Sequence, residues 1–289
     1  MTSADRVPPS HCIADLAHPD IQAFLKRSDL ILIPMGSCEQ HGAHLPVGMD
    51  FLYPQEVARR AAEKADILYT PTIWTGYSPQ HLRGSGEGMG TISLHPETLL
   101  SVLYEVGRSL VHNGFSKLIF VNGHGSNNKI IDPLLRRLRQ DTGALVVFYK
   151  PYVERYIGMM GDILENAPED TPGWHASEFE TSVMMALNDK LVRMDRAVAT
   201  RAGRPSWLPA SFVKQDGAPD VEFQGYQYFS FPMDHEEWTP SGVIGDPFTA
   251  TKEKGEIAIH RFVDHLVDAI HELDKVEVTV HGRDWQDKV

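Results

Sequence analysis

The chain has 289 residues, 42% of them hydrophobic, and a formal charge of −12, enough for one large globular unit and too acidic for unaided nucleic-acid binding, which needs a basic face to neutralise phosphates. Its start (MTSADRVPPSHC) has neither the basic opening nor the apolar run of a signal peptide, and no apolar run approaches the roughly 18 residues of a membrane span. Cys12 and Cys38 are the only cysteines, too few for a disulfide framework and in keeping with a reducing cytoplasm. A single domain over residues 1–289 is expected, without repeats or low-complexity tracts.

The elements follow in chain order. Leu30 to Pro34 (LILIP) is short and wholly apolar, as in a strand buried on both faces. Phe51 to Ala65 reads as a helix, with Pro54 in its first turn and Val57, Ala58, Ala61 and Ala62 at helical spacing. Ile67 to Trp74 has the composition of a second strand, although Pro71 lacks the N–H of a ladder residue. Pro96 opens a helix striped by Leu99, Leu103, Val106 and Leu110, with Gly114 past its end. Leu118 to Val121 is a strand, followed by a glycine-rich turn and a helix from about Asn128 to Gln140. Leu145 to Tyr149 is a further strand. Helices are expected over Phe179 to Leu187 and, long and amphipathic, over Lys252 to Leu273. Strands alternating with helices predict an α/β fold, a three-layer sandwich with a mostly parallel central sheet flanked by helices. Residues 201–246, rich in Pro, Gly and aromatics and periodic in neither sense, are expected to form an irregular insertion.

Ligands of open α/β sheets bind at the carboxyl ends of the strands. "GSCEQHGAHLPVGMD" follows the first strand and "VNGHGSNN" ends the one before Asn128, while "WHASEFETS" leads into a helix. Glu39, His41, Asp50 and His124 are oxygen and nitrogen donors suited to Zn²⁺, Mn²⁺ or Fe²⁺. Glu39 and His41 are two residues apart, so an extended backbone points both to one side. Asp50 opens a helix whose dipole favours its ionised form, and a carboxylate there could bridge two cations. Each of these residues alone is equally at home in a solvated loop or a helix cap; their gathering in three segments favours a metal site. "RGSGEGMG" lacks the Lys-Ser/Thr ending of a phosphate loop.

These motifs, together with "GMGTISLHPETL" and "SGVIGDPFTATKEKGE", resemble the creatininase (creatinine amidohydrolase) family in the same order over residues 29 to 272. The resemblance implies two divalent metal ions and a bridging water that attacks a carbonyl carbon. By motif, Glu39 and His124 would hold one metal, His41 the other, and Asp50 both, with His175 passing the proton to the leaving nitrogen. In creatininase the second metal takes a glutamate at the position of Ser126; Glu178 is expected to replace it, leaving Glu180 to support the site from behind. Ser78, Gly125, Lys150 and Trp174 are expected to line the substrate pocket, Lys150 standing nearest to the position of a loop tryptophan that closes over creatinine. The family implies a small-molecule substrate (a cyclic amide, formamide or keto-cyclitol rather than creatinine) and a homo-oligomer, typically a hexamer built as a trimer of dimers. Creatinine hydrolysis itself, or a non-catalytic metal- or metabolite-binding protein on the same scaffold, are the alternatives.

Overall fold

The computed structural model describes residues 10–82, 88–151, 158–165, 175–201, 203–214, 220–237 and 239–284. Among the described residues, four parallel strands form the central sheet: β1 (Leu30–Met35), β2 (Leu68–Tyr69), β3 (Lys117–Asn122) and β4 (Leu145–Tyr149), in the spatial order β2-β1-β3-β4. Every residue of β1 and β3 is buried, which explains why both read as unbroken apolar runs: helices cover the two faces of the sheet. Their register pairs Leu30 with Lys117 through Met35 with Asn122, so both strands deliver their following loops to one edge.

The helices are α1 (His18–Phe24), α2 (Met49–Ala65), α3 (Pro96–His112), α4 (Asp132–Thr142), α5 (Glu178–Asn188) and α6 (Lys252–Asp274). α2, α5 and α6 pack together, and Tyr53, Phe179 and Phe262 meet edge to face at their centre. α3 packs on α4, and a Cβ at Gly107 would fall 2.8 Å from Leu138 of α4 and 3.5 Å from Leu118 of β3. α6 ties itself to β4, where Tyr149 Oη donates to the Phe262 carbonyl at 3.1 Å.

Three sequence expectations are corrected. The second strand is only Leu68–Tyr69, because Pro71 has no N–H to give; the chain returns to β1 at Ile73, whose N–H reaches the Pro34 carbonyl at 3.0 Å. The helix expected from Asn128 begins at Asp132, after a 3-10 turn over Gly125–Lys129. The irregular stretch 201–246 contains an antiparallel sheet of β5 (Phe212–Lys214), β6 (Asp220–Phe223) and β7 (Tyr226–Ser230), held partly by Phe212 stacked on Phe223 at 4.7 Å. Among the described residues no helix is long and apolar enough to cross a membrane.

Candidate metal centre

The site lies where β1 and β3 end against the start of α2. Close approach there depends on missing side chains: a Cβ at Gly36 would sit 2.0 Å from the Asp50 carbonyl oxygen, and one at Gly123 2.3 Å from the same atom. These two glycines let the first turn of α2 press against both strand ends, carrying the Asp50 side chain into the gap between Glu39 and His124. The loop after β3 is fixed by amides: Asn127 Nδ2 donates to the Gly36 carbonyl and to Asn122 Oδ1, each at 3.0 Å, while its Oδ1 accepts the Tyr77 N–H at 3.0 Å.

Asp50 spans two histidines. Its Oδ1 lies 3.1 Å from His41 Nε2 and its Oδ2 lies 2.7 Å from His124 Nδ1. Glu39 Oε2 is 3.4 Å from His124 Nδ1, and Glu180 Oε2 is 3.6 Å from His41 Nε2. Two donor sets therefore share one carboxylate: Glu39, Asp50 and His124, and His41, Asp50 and Glu180. All five side chains are buried.

Hydrogen bonding on the far side of each ring decides which nitrogen faces inward. His41 Nδ1 donates to the Glu39 carbonyl at 3.1 Å, and His124 Nε2 donates to the Tyr77 carbonyl at 3.0 Å. Carbonyl oxygens only accept, so the neutral rings turn a bare lone pair towards the carboxylates, the arrangement typical of metal-ligating histidine. Glu39 Oε2 and His41 Nε2 are fully buried without a hydrogen-bond partner. Such atoms are costly unless a cation meets them, so the residues present fit bound divalent metal.

The electrostatics have the same form. Burial pushes Glu39 up to about 7 against the opposing pull of His124. Asp50, despite burial, is held well below the usual carboxylate range by His41 and His124. Burial favours neutral His124 and His41, yet carboxylates prevail: Glu39 and Asp50 raise His124 to about 9, and Asp50 and Glu180 hold His41 well above its ordinary value. Without a cation the cluster holds protons on its histidines, and a divalent ion would displace them.

The expected pairing of Glu178 with His41 is corrected. Glu178 lies on the other side of α5's first turn, where its carboxylate accepts from Lys254 Nζ at 2.5 Å and from the Glu165 N–H at 3.0 Å. Glu180 occupies the place beside His41, with its Oε2 also accepting the Ala176 N–H. Residues two apart on a helix lie about 200° apart around its axis, so only one of them can reach the cluster. Ala176 supports that turn in the left-handed region at φ 54°.

His175 stacks on His41 with ring centroids 4.3 Å apart, and its Nδ1 is 3.7 Å from Glu39 Oε1. Burial, then His41 and His81, push it well below an ordinary histidine. Ser78 is brought in: its Oγ lies 2.5 Å from Ser37 Oγ and 3.1 Å from His124 Nε2. Gly125 opens the turn after His124. Lys150 is exposed just past β4, and Trp174 lies outside the described residues. His44, one of the donors crowded after β1, turns away to Thr181 on α5 at 3.1 Å, and burial and His41 lower it to about 4.

Three residues at the site went unread in the sequence. His81 and His235 lie with His175 in a third cluster, their ligand atoms within 4.8 Å of one another, and Gln40 sits at its centre. Positions 81, 175 and 235 are joined by no spacing, and His235 comes from a 3-10 turn (His235–Glu237) in the insertion.

Residues 14–270 match the family model for Creatininase, described as creatinine amidohydrolase. The creatinine amidohydrolase of Pseudomonas putida is 32% identical over 90% of this chain and 96% of its own. A mycofactocin precursor peptide peptidase of Mycobacterium tuberculosis is 33% identical over 83% and 84%, and a 3-dehydro-scyllo-inosose hydrolase of Thermotoga maritima 26% identical over 88% and 80%. A solved Mn creatininase and a mutant creatininase of Zn–Zn type superpose with TM-scores of 0.71 and 0.69 at 29% identity, each covering 92% of this chain and 100% and 99% of theirs.

Proposed function

The chain belongs to the creatininase family, and from that premise we propose a hydrolase that uses two divalent cations to cleave a small polar amide or a related carbonyl compound other than creatinine. Glu39, Asp50 and His124 would hold one cation and His41, Asp50 and Glu180 the other, with Asp50 common to both. The observation that carries this reading is the inward aim of His41 Nε2 and His124 Nδ1 at the shared carboxylates, each ring being anchored through its other nitrogen to a backbone carbonyl. Cations so placed supply Lewis acidity, polarising a carbonyl and bringing the pKa of a water towards neutrality.

The chain's own residues supply the rest. Three buried carboxylates and two histidines fix the charge at one spot and leave little room for bulk water. His175, beside Glu39 and stacked on His41, takes the proton from the attacking water and passes it to the leaving atom. Its depressed basicity suits that second transfer, since the proton is held weakly. Ser37 and Ser78 offer hydroxyls at the edge of the cluster.

Creatinine is disfavoured because exposed Lys150 stands where a closing tryptophan is expected. The test is a screen of cyclic amides, formamides and keto-cyclitols with the zinc- and manganese-loaded protein, creatinine included. Turnover of one class is expected, lost in His175→Asn with metal content kept. A creatinine kcat/KM of ~10⁴ M⁻¹s⁻¹ or more, ordinary for a true substrate, contradicts the reading. We also propose a cytoplasmic homo-oligomer, a hexamer; light scattering that gives a monomer at micromolar concentration contradicts the assembly.

A further inference from the structure

We propose that Gln40 is a positioning residue that locks the tautomers of His81 and His175, so that the metal centre is faced by a hydrogen-bond donor, His81 Nε2–H, beside a proton acceptor, His175 Nδ1. The proposal rests on the reading of the neighbouring cluster as a hydrolytic metal centre, and deepens it by assigning the atoms that face the substrate.

The orientation of the Gln40 amide is fixed first. Its Oε1 lies 2.8 Å from the backbone nitrogen of Gly42, a group that can only donate. The oxygen must therefore be there, and Nε2 must face the histidines; the ambiguity that usually attends a carboxamide is removed. Nε2 has two hydrogens. It lies 3.0 Å from His81 Nδ1, 3.1 Å from His235 Nδ1 and 3.2 Å from His175 Nε2.

The third of these contacts is excluded as a hydrogen bond by the Gln40 backbone. His175 Nε2 lies 2.6 Å from the Gln40 carbonyl oxygen, which only accepts, so that nitrogen carries a proton and has no lone pair for the amide. The two amide hydrogens go to His81 Nδ1 and His235 Nδ1. Each step is anchored by a backbone group that can act in one way only: the Gly42 N–H fixes the amide and the Gln40 carbonyl fixes His175.

The consequence lies on the opposite edges of the rings. His81 accepts at Nδ1 and so carries its proton on Nε2, which is 3.7 Å from Glu39 Oε1. Neutral His175 carries its proton on Nε2 and so presents a lone pair at Nδ1, also 3.7 Å from Glu39 Oε1. The two rings stack at 4.7 Å with an interplanar angle of 25°. A donor and an acceptor thus stand side by side over one oxygen of Glu39. The donor is placed to hydrogen-bond a substrate carbonyl oxygen as it gains negative charge, a contact that costs about 10²–10³ in kcat when such a donor is removed. The acceptor is placed to receive the proton that an attacking water loses as its oxygen bonds to carbon, and to give that proton to the leaving atom as its bond to carbon breaks. The His175 Nε2–H stays on the Gln40 carbonyl throughout. Reversing either tautomer would put two acceptors or two donors over Glu39.

The test needs no substrate. Neutron diffraction from deuterated, zinc-loaded crystals should place deuterium on Nε2 of His81, His175 and His235 and none on the Nδ1 of any of them. Deuterium on Nδ1 of His81 or His175 overturns the proposal, as does a third zinc bound by the three histidines, because that ion would consume the lone pairs assigned here. In Gln40→Glu the new carboxylate can only accept, so His81 and His235 should switch to the Nδ1–H form, read from ¹⁵N-histidine NMR spectra. An unchanged His81 tautomer in that folded variant also overturns it; if the variant does not fold, the wild-type neutron map decides alone. Zinc content of the wild type separates this from the functional reading: fewer than two ions per chain would sink the metal centre while leaving the tautomers to be judged by the same map.

Discussion

Glu178 and Glu180 stand in one helical turn, yet their replacement by glutamine should have opposite consequences. Glu178→Gln removes a buried charge that holds Lys254 Nζ at 2.5 Å. Lys254 is not orphaned, since it keeps Glu165 Oε1 at 2.7 Å and the Thr249 carbonyl at 2.8 Å. The loss is therefore that of one charge-assisted hydrogen bond, about 1.5–3 kcal/mol, rather than the 3–5 kcal/mol of an uncompensated buried charge. At about 2–4 °C per kcal/mol for a chain of this size class, Tm should fall by roughly 3–12 °C with metal content unchanged. Glu180→Gln instead takes a carboxylate from beside His41 Nε2, and should halve the zinc retained after dialysis. Calorimetry and inductively coupled plasma mass spectrometry on both variants separate the two effects. Loss of zinc from Glu178→Gln, with both ions retained in Glu180→Gln, would refute the assignment.

Further expectations concern the backbone and protons around the site. Gly36→Ala would drive a Cβ to 2.0 Å from the Asp50 carbonyl, backbone that cannot yield, so a loss of about 3 kcal/mol or more and of bound metal is expected by chemical denaturation and metal analysis. Gly158→Ala, whose Cβ would meet nothing within 4 Å, serves as the control and should change neither. Ala176→Gly relieves a left-handed residue at φ 54°, a strain of roughly 1–2 kcal/mol set against about 0.5–1 kcal/mol of glycine entropy; its Tm should hold or rise, and a clear fall would contradict it. In the metal-free protein, His124 is raised from 6.5 to about 9 because Glu39 and Asp50 outweigh burial. That contribution is full below about 6.5 and is lost as pH rises through about 9. Glu39, raised from 4.5 to about 7 by burial, acts in the same direction at lower pH. Metal-free Tm should therefore fall between pH 6.5 and 9 while the metal-loaded protein stays level; a metal-free Tm that rises over this window would refute it.

Much of this was legible in the sequence, and what was not has physical causes. β1 and β3 are buried on both faces and so left unbroken apolar runs, while α3 and α6 show one apolar stripe each. Because parallel strands end at one edge, the two loops carrying Glu39, His41, Asp50 and His124 could be brought together on paper. α5 gave no such guide: Glu178 through Met184 are all buried, so no contrast between faces told which carboxylate turns inward. β2 was read too long because Pro71 and its neighbours have strand composition without a ladder partner. The short antiparallel strands of the insertion are stabilised by aromatic stacking across the sheet rather than by alternation along it. His81, His235 and Gln40 meet only through tertiary structure, and a lone histidine in a loop announces nothing about its neighbours.

The central claim is that Asp50 joins two cation sites, and anomalous diffraction from metal-replete crystals, collected at the zinc and manganese edges, tests it most directly. Two peaks per chain are expected, about 3.5–4 Å apart, one next to Glu39 and His124, the other next to His41 and Glu180, with Asp50 between them. A single peak, or a pair in which Asp50 touches neither ion, would contradict it.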